Sequence, residues 1–325
     1  MSRTETARSG RPEGEPSGAA GGFDKAAVDA ACESVVGRRR EIELVVAALA
    51  ADRHILLEGP PGTGKSTLLR MVAREAGVPF VFVEGNAELT PARLAGQFDP
   101  ARILTDGYTP EVFIDGPLTE AVREGSLLYL EELNRVPEET LNLLITAMSE
   151  REVHVPRLGH IPAAPGFRLV AAMNPFDAVG TARISAAVYD RMCRVAMGYQ
   201  TAEEEVAITA HEADVPAGEL TSRFVEVCRS TREHPEIRIG SSVRGAIDGL
   251  LLAKQLSALR GDGSAATLLD AALAALSGRV RLHEGSGRSA EEIITELFLG
   301  VFGDDAEEGG EAQGKGGTPA GVTAG

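Results

Sequence analysis

The chain has 325 residues, 43% hydrophobic and 25% charged, so it is long enough for one large domain or two ordinary ones with buried cores. Its 48 acidic and 32 basic residues give a formal net charge of −16, which disfavours a broad nucleic-acid surface and a polybasic membrane surface. Tryptophan is absent and aromatic residues are 4% of the chain, so stacking platforms for single strands are scarce.

The cysteine pattern and the first residues bear on the cellular compartment. Cys32, Cys193 and Cys228 are odd in number and lack a CxxC spacing, which argues against a disulfide framework and against a zinc site. No apolar run approaches the roughly 18 residues that cross a bilayer, and the first residues lack a hydrophobic signal core. We therefore expect a cytoplasmic protein without membrane contact.

The composition divides the chain into four predicted parts. Residues 1–22 and 303–325 are dominated by small and charged residues, so we predict disordered tails there. Residues 23–199 alternate short apolar runs with segments of helical period, which is typical of a mostly parallel α/β sheet. Residues 200–302 consist of amphipathic helical segments and predict a small all-helical domain.

A local signal lies at the boundary between the two ordered parts. Thr201 and Glu204 have the spacing of a capping box, in which each side chain accepts a hydrogen bond from the other residue's backbone N–H. The signal is weak by itself, but it falls where strand-like runs give way to helical ones. It predicts that a helix begins here.

The strongest motif is a phosphate loop between the apolar run HILLE and the helical run STLLRMVAREA. Its residues, in order, are Gly59, Pro60, Pro61, Gly62, Thr63, Gly64, Lys65 and Ser66. The glycines allow backbone N–H groups to turn towards a phosphate at the helix N-terminus. Lys65 is predicted to reach the β- and γ-phosphates and Ser66 to coordinate Mg²⁺, with nucleotide contacts extending to Thr67. The motif predicts ATP as the bound nucleotide.

Two carboxylates follow the apolar run SLLYL. We predict that Glu131 belongs to the Mg²⁺ shell and that Glu132 polarises the attacking water. Two acids at a strand end are common, and a solvated strand end is the alternative interpretation. The phosphate loop upstream favours the functional one.

Asn174 ends a further apolar run, FRLVAAMN. Its amide is a candidate for orienting the water against the γ-phosphate. The alternative is an ordinary Asn-Pro turn, which is the stronger interpretation when this residue is taken alone.

Together these motifs resemble the AAA+ ATPases and, within them, the MoxR-type group. The resemblance runs from about Val36 to about Arg279 and consists of motifs in the order of the family. They are Val36-Gly37-Arg38, Gly116-Pro117-Leu118, the run from Leu130 to Arg135, Asn174-Pro175, Gly180-Thr181, Tyr189-Asp190-Arg191 and Ser242-Val243-Arg244-Gly245-Ala246.

The resemblance implies an AAA+ P-loop NTPase core, a helical lid and a role for each matching residue. Val36 and Gly37 would lie near the adenine, Asn174 would be sensor 1 and Arg244 sensor 2 on the lid. Arg191 would be the arginine finger, which in this family reaches the γ-phosphate held by the neighbouring subunit. Arg194 is the alternative finger. For Arg191 and Arg244, the bland interpretation is a surface salt bridge.

Two residues depart from the pattern of the family. Glu131 stands where Asp is usual, which keeps the charge and adds a methylene, and Val243 stands where Pro is common. The first change makes the Mg²⁺ geometry and the turnover less certain than nucleotide binding.

The resemblance also assigns two insertions to this chain. Residues 86–113 lie where an insertion in the second helix would be, and residues 152–163 are predicted to form a hairpin with EVHV and HIPA as its strands. In relatives these loops face the axial surface of the ring and contact clients. Ordinary surface loops are the alternative.

The predicted function is that of a Mg²⁺-dependent ATPase acting as a homo-oligomeric ring, probable hexamers being the rule implied by the resemblance. It would act as a chaperone-like motor on a client protein, for metalloenzyme maturation or complex assembly, with a von Willebrand factor A-domain protein as partner. Two alternatives stay open: a nucleic-acid motor, which the charge disfavours, and a nucleotide-gated scaffold that barely hydrolyses ATP, which only Glu131 supports.

Overall fold

A computed structural model of the chain describes residues 22–175 and 184–308. Residues 1–21 and 309–325 of the predicted tails, and Gly180-Thr181 of the family motifs, lie outside the described residues. The helices are α1 (Lys25–Ser34), α2 (Arg39–Ala50), α3 (Lys65–Glu75), α4 (Pro91–Ala95), α5 (Pro100–Asp106), α6 (Pro117–Glu124), α7 (Glu138–Glu150), α8 (Ala186–Asp190), α9 (Ala202–Ala213), α10 (Glu219–Glu233), α11 (Val243–Arg260), α12 (Ala265–Leu276) and α13 (Ala290–Glu308). The strands are β1 (His54–Glu58), β2 (Phe80–Glu84), β3 (Gly96–Phe98), β4 (Phe113–Asp115), β5 (Leu127–Glu131), β6 (Glu152–Val155), β7 (Gly159–Pro162), β8 (Arg168–Met173), β9 (Met192–Ala196), β10 (Ile237–Ile239) and β11 (Arg281–Leu282).

The α/β part is built on a five-stranded sheet in the order β2-β5-β8-β1-β9, with every pair parallel. The predicted α/β fold with a mostly parallel sheet is therefore confirmed. The side chains of β1 and β8 are buried along the whole strand, because helices cover both faces of the sheet. β9 was not predicted, since its sequence MCRVA carries two exposed polar residues and only a weak strand pattern.

The order of the strands determines where polar side chains meet. β1 continues into the phosphate loop, β8 pairs with β1, and β5 pairs with β8. Because the strands are parallel, their carboxyl ends share one edge of the sheet, at which parallel α/β folds bind ligands. The phosphate loop, Glu131, Glu132 and Asn174 all follow strands at this carboxyl edge.

The region after Tyr199 is helical, as predicted, and its helices α9 to α13 enclose a separate core. Phe298 and Phe302 stack there with ring centroids 4.2 Å apart. The capping box is present: Thr201 Oγ1 accepts from the Glu204 backbone N–H, and Thr201 N–H donates to the Glu204 carboxylate at 2.9 Å.

Two features of this region differ from the sequence prediction. The prediction of an all-helical lid omitted β10 and β11, which form a short antiparallel pair. Strands of two or three residues are too short to show an alternating pattern. The last helix also extends to Glu308, beyond the predicted start of the tail at Gly303.

The two insertions form ordered structures. Residues 86–113 include α4, β3 and α5, and β3 pairs with β4. Residues 152–163 form the predicted hairpin, in which β6 pairs with β7 from Glu152↔Pro162 to Val155↔Gly159. The Arg157 guanidinium at the hairpin turn lies 3.8 Å from the ring centroid of Tyr108, so the two insertions contact each other.

Candidate nucleotide-binding site

The phosphate loop connects the end of β1 to the start of α3. Gly62 and Gly64 have φ angles of 73° and 81°, in the left-handed region that favours glycine. A Cβ at Gly59 would lie 2.2 Å from the Met197 carbonyl oxygen, so this position has no space for a side chain. The loop thus turns its backbone into the N-terminus of α3, where free N–H groups favour an anion.

Lys65 is folded back onto this loop. Its Nζ donates to the carbonyl oxygens of Gly59 and Pro60, both at 2.9 Å. The side chain is buried, and this burial lowers the pKa of Lys65 below its usual range. The ammonium is therefore held at the centre of the loop, within reach of a phosphate group bound there.

Ser66 and Glu131 meet at the carboxyl edge. Ser66 Oγ donates to Glu131 Oε1 at 2.6 Å and lies 3.2 Å from the Tyr129 hydroxyl. A hydroxyl and a carboxylate are oxygen donors of the kind that Mg²⁺ prefers, and Mg²⁺ is usually held by few protein ligands together with phosphates and water. No group of three His, Cys, Asp or Glu side chains that could enclose a metal exists in the described part of the chain, which agrees with such an open site.

Glu132 lies next to this pair, with a left-handed backbone at φ 55°. The Arg135 Nε lies 3.3 Å from Glu132 Oε2, but that oxygen, which is buried, accepts no hydrogen bond from any described residue. Asn174 is close by, because Asn134 Nδ2 donates to its carbonyl oxygen at 3.3 Å. The structure thus brings together the two carboxylates and the amide that the sequence analysis singled out.

A cleft of about 370 Å³ joins these groups to the helical region. It is lined by the phosphate loop from Pro61 to Thr67 and by Glu131, Glu132 and Asn174, and Arg244 enters it from the N-terminus of α11. Arg244 makes no hydrogen bond and no ion pair with any residue in the ranges that the structure describes. Its guanidinium is therefore available for an anion in the cleft.

A second cleft, of about 300 Å³, continues from the other side of the phosphate loop. Val36, Gln200 and Ile208 line it together with Val243 and Thr67. Its mixed apolar and polar walls suit a planar base, in agreement with the prediction for Val36.

Gly37 does not line this cleft. A Cβ at Gly37 would lie 2.3 Å from the Glu204 side chain, so this glycine instead permits close packing against the start of α9. Its neighbour Arg38 is buried and donates to the carbonyl oxygens of Thr63, at 3.0 Å, and Gly198, at 2.7 Å. These residues support the cleft from behind.

Comparison with known proteins decides the family. The family model of the AAA domain (dynein-related subfamily) matches residues 54–192. Gas vesicle ATPase GvpN2 from Halobacterium salinarum is 31% identical over 275 residues, which span 79% of this chain and 76% of that protein. The chain belongs to the MoxR-type AAA+ ATPases. The resemblance in the sequence is thereby confirmed, and family membership supports nucleotide binding and ATPase activity.

Other relatives agree with this assignment. YeaC from Bacillus subtilis is 28% identical over 302 residues, spanning 82% of this chain and 90% of that protein. Protein NorQ from Paracoccus denitrificans is 33% identical over 175 residues, spanning 53% and 63%. Two mutants of RuvB from Thermotoga maritima superpose with TM-scores of 0.51 and 0.50 at 17% and 19% identity, covering 75% and 74% of this chain and 72% and 70% of those chains, which shows a shared fold.

The two candidate arginine fingers of this AAA+ protein have different surroundings. Arg191 is remote from the nucleotide cleft: its Nη1 donates to the Ala187 carbonyl at 2.9 Å and its Nε donates to Ser149 Oγ. Together with His54, at the start of β1, it lines a pocket at the amino edge of the sheet. Arg194 instead pairs with Glu58, the last residue of β1.

Three residues of the site were not found from the sequence. Arg279 and Arg281 enter the cleft from the helical region, where Arg279 also pairs with Asp248. Their position depends on the β10–β11 pair, whose strands are too short to be predicted. Tyr129 was read as an apolar strand residue, and only its contact with Ser66 in the folded chain indicates another role.

Among the described residues, no helix is both long enough and apolar enough to cross a membrane.

Proposed function

We propose that this protein is a Mg²⁺-dependent ATPase that hydrolyses ATP to ADP and phosphate at the cleft between the phosphate loop and the lid. The observation that carries the proposal is the meeting of Ser66, Glu131 and Glu132 beside a free Arg244. Lys65 would bind the β- and γ-phosphates. Ser66 and Glu131 would hold the Mg²⁺, whose bound charge stabilises the phosphates during transfer.

Hydrolysis needs a base and a means to orient water. Glu132 has a buried carboxylate oxygen without a hydrogen bond from a described residue, so this oxygen is suited to accept a proton from water. Asn174 lies at the neighbouring strand end and would orient that water. Arg244 would stabilise charge on the γ-phosphate from the lid.

We further propose that the active site is shared between subunits of a ring, which in AAA+ ATPases is commonly a hexamer. Arg191 lies at the opposite edge of the sheet from the cleft, which supports a role at the cleft of a neighbouring subunit. Arg194 is the weaker candidate, because its guanidinium already pairs with Glu58. Residues 23–199 and 200–302 would be the two units that move against each other during the cycle.

The output of this cycle would be the remodelling or maturation of a client protein in the cytoplasm. The proposal is supported by the relatives named gas vesicle ATPase and protein NorQ. Metalloenzyme maturation or complex assembly, and a von Willebrand factor A-domain partner, are parts of this proposal. The contacting insertions, residues 86–113 and 152–163, would form the client-facing surface.

The test is steady-state phosphate release with purified protein. Lys65→Ala and Glu132→Gln should each abolish release, and Glu132→Gln should still retain ATP, because it removes the base and leaves the phosphate contacts intact. A wild-type protein that binds ATP without releasing phosphate would favour the nucleotide-gated scaffold, for which Glu131 in place of Asp is the argument. Proteins retained by Glu132→Gln with ATP would identify the client.

A further inference from the structure

The hydroxyl of Tyr129 lies in a place where a strand of this kind needs only an apolar side chain. Tyr129 is fully buried in β5 and shares its face of the strand with Glu131, two residues further on. Both side chains reach Ser66, the second residue of α3: Glu131 at 2.6 Å and Tyr129 at 3.2 Å.

The hydrogen bonds at Ser66 Oγ leave a defined number of positions free. A serine hydroxyl has one proton to donate and two lone pairs. The proton goes to Glu131, because a carboxylate only accepts, so the Tyr129 hydroxyl is the donor in its own contact with Ser66. One lone pair of Ser66 Oγ then remains.

Aromatic packing holds Tyr129 in this position. The rings of Phe80 and Phe82 on the neighbouring strand β2 lie with centroids 5.9 Å and 5.7 Å from that of Tyr129. The Arg70 guanidinium covers both phenylalanine rings, at 5.4 Å and 5.1 Å. The hydroxyl therefore has little freedom to leave Ser66, so its bond also fixes the direction of the serine.

We propose that Tyr129 is a positioning residue for Mg²⁺, which fixes Ser66 Oγ so that its remaining lone pair faces the metal. The inference rests on the proposed function of Ser66. It also gives Glu131 a physical context, since its longer side chain reaches a serine that is already held from the other side. Partners of metal ligands have effects of about 10- to 100-fold on metal affinity.

The experiment measures binding of the fluorescent nucleotide mant-ADP in a Mg²⁺ titration and, separately, in excess EDTA. We expect Tyr129→Phe to raise the half-saturating Mg²⁺ concentration about 10-fold while the affinity in EDTA stays unchanged. Tyr199→Phe is the matched control, because that ring stacks on Arg232 in the lid, away from Ser66, and both affinities should equal those of wild type.

Two outcomes would overturn the inference: a Mg²⁺ requirement unchanged in Tyr129→Phe, or an equal loss of affinity with and without metal, which would show a purely structural role. Lys65→Ala separates this inference from the function on which it rests. If Lys65→Ala leaves mant-ADP binding intact, the nucleotide site itself is wrong; if it abolishes binding while Tyr129→Phe changes nothing, only the role of Tyr129 fails.

Discussion

The two edges of the central sheet carry arginines in contrasting situations. At the carboxyl edge, Arg244 faces the nucleotide cleft without an ion pair or hydrogen bond to a described residue. At the amino edge, Arg191 bonds to Ser149 and Ala187 of its own chain and lies outside that cleft. The edges are separated by the five residues of β1, or about 16 Å. One chain thus carries both parts of the proposed catalytic apparatus, but on opposite edges of its sheet.

The comparison would be broken most directly by Arg191→Ala. If Arg191 acts on the nucleotide of a neighbouring subunit, its loss should lower turnover about 10³-fold and leave mant-ADP affinity unchanged. Arg53→Ala, in the same pocket, is the control and should keep its turnover. Mixing Arg191→Ala subunits into wild type should lower phosphate release by more than dilution does; a linear decrease would contradict a shared site.

The carboxyl edge is tested by Arg244→Ala. Removing one preorganised donor to the transferred phosphate should lower the turnover number about 100-fold. Arg279→Ala should have a much smaller effect, because that guanidinium already pairs with Asp248. Phosphate release by the two variants compares a free arginine with a paired one in the same cleft, and equal losses would argue against the distinction.

The amino edge also contains a buried histidine, which makes it sensitive to acid. Burial, followed by the nearby Arg151 charge, lowers the pKa of His54 to about 4, and its Nδ1 accepts from the Leu169 backbone N–H at 2.9 Å. The unfolded chain binds a proton near pH 6.5, so stability falls as the pH drops from there towards 4. The expected loss between pH 7.5 and pH 5 is about 2 kcal/mol.

Denaturant unfolding at the two pH values measures this loss. His54→Gln should reduce the pH dependence, whereas His283→Gln, at an exposed position, should keep it. An unchanged pH dependence in His54→Gln would assign the acid sensitivity to other groups.

The smallest predicted effect concerns the start of the lid. Thr201→Ala removes the side-chain half of the capping box and should lower the free energy of unfolding by about 1 kcal/mol. Thr146→Ala, an exposed threonine within α7, serves as the comparison and should have less effect. Phosphate release should change little in either variant, since neither side chain lines the nucleotide clefts.

The sequence allowed prediction of features that depend on neighbouring residues. The phosphate loop, the two carboxylates after β5, the capping box at Thr201 and the hairpin of residues 152–163 each have a local pattern. The positions of Arg279 and Arg281 have none, because they depend on a short strand pair between distant segments. Tyr129 could not be distinguished from an apolar strand residue, since only the approach of α3 gives its hydroxyl a partner.

Arg38 connects the phosphate loop to the chain just before the lid. Its guanidinium donates to the Thr63 carbonyl in the loop and to the Gly198 carbonyl three residues before Thr201. Both bonds come from Nη2 on one planar group, so the two carbonyls keep a fixed separation. A displacement of the loop when the terminal phosphate departs would therefore pull on the lid's point of attachment directly, and a lysine, with its single rotating ammonium, would transmit that pull less rigidly.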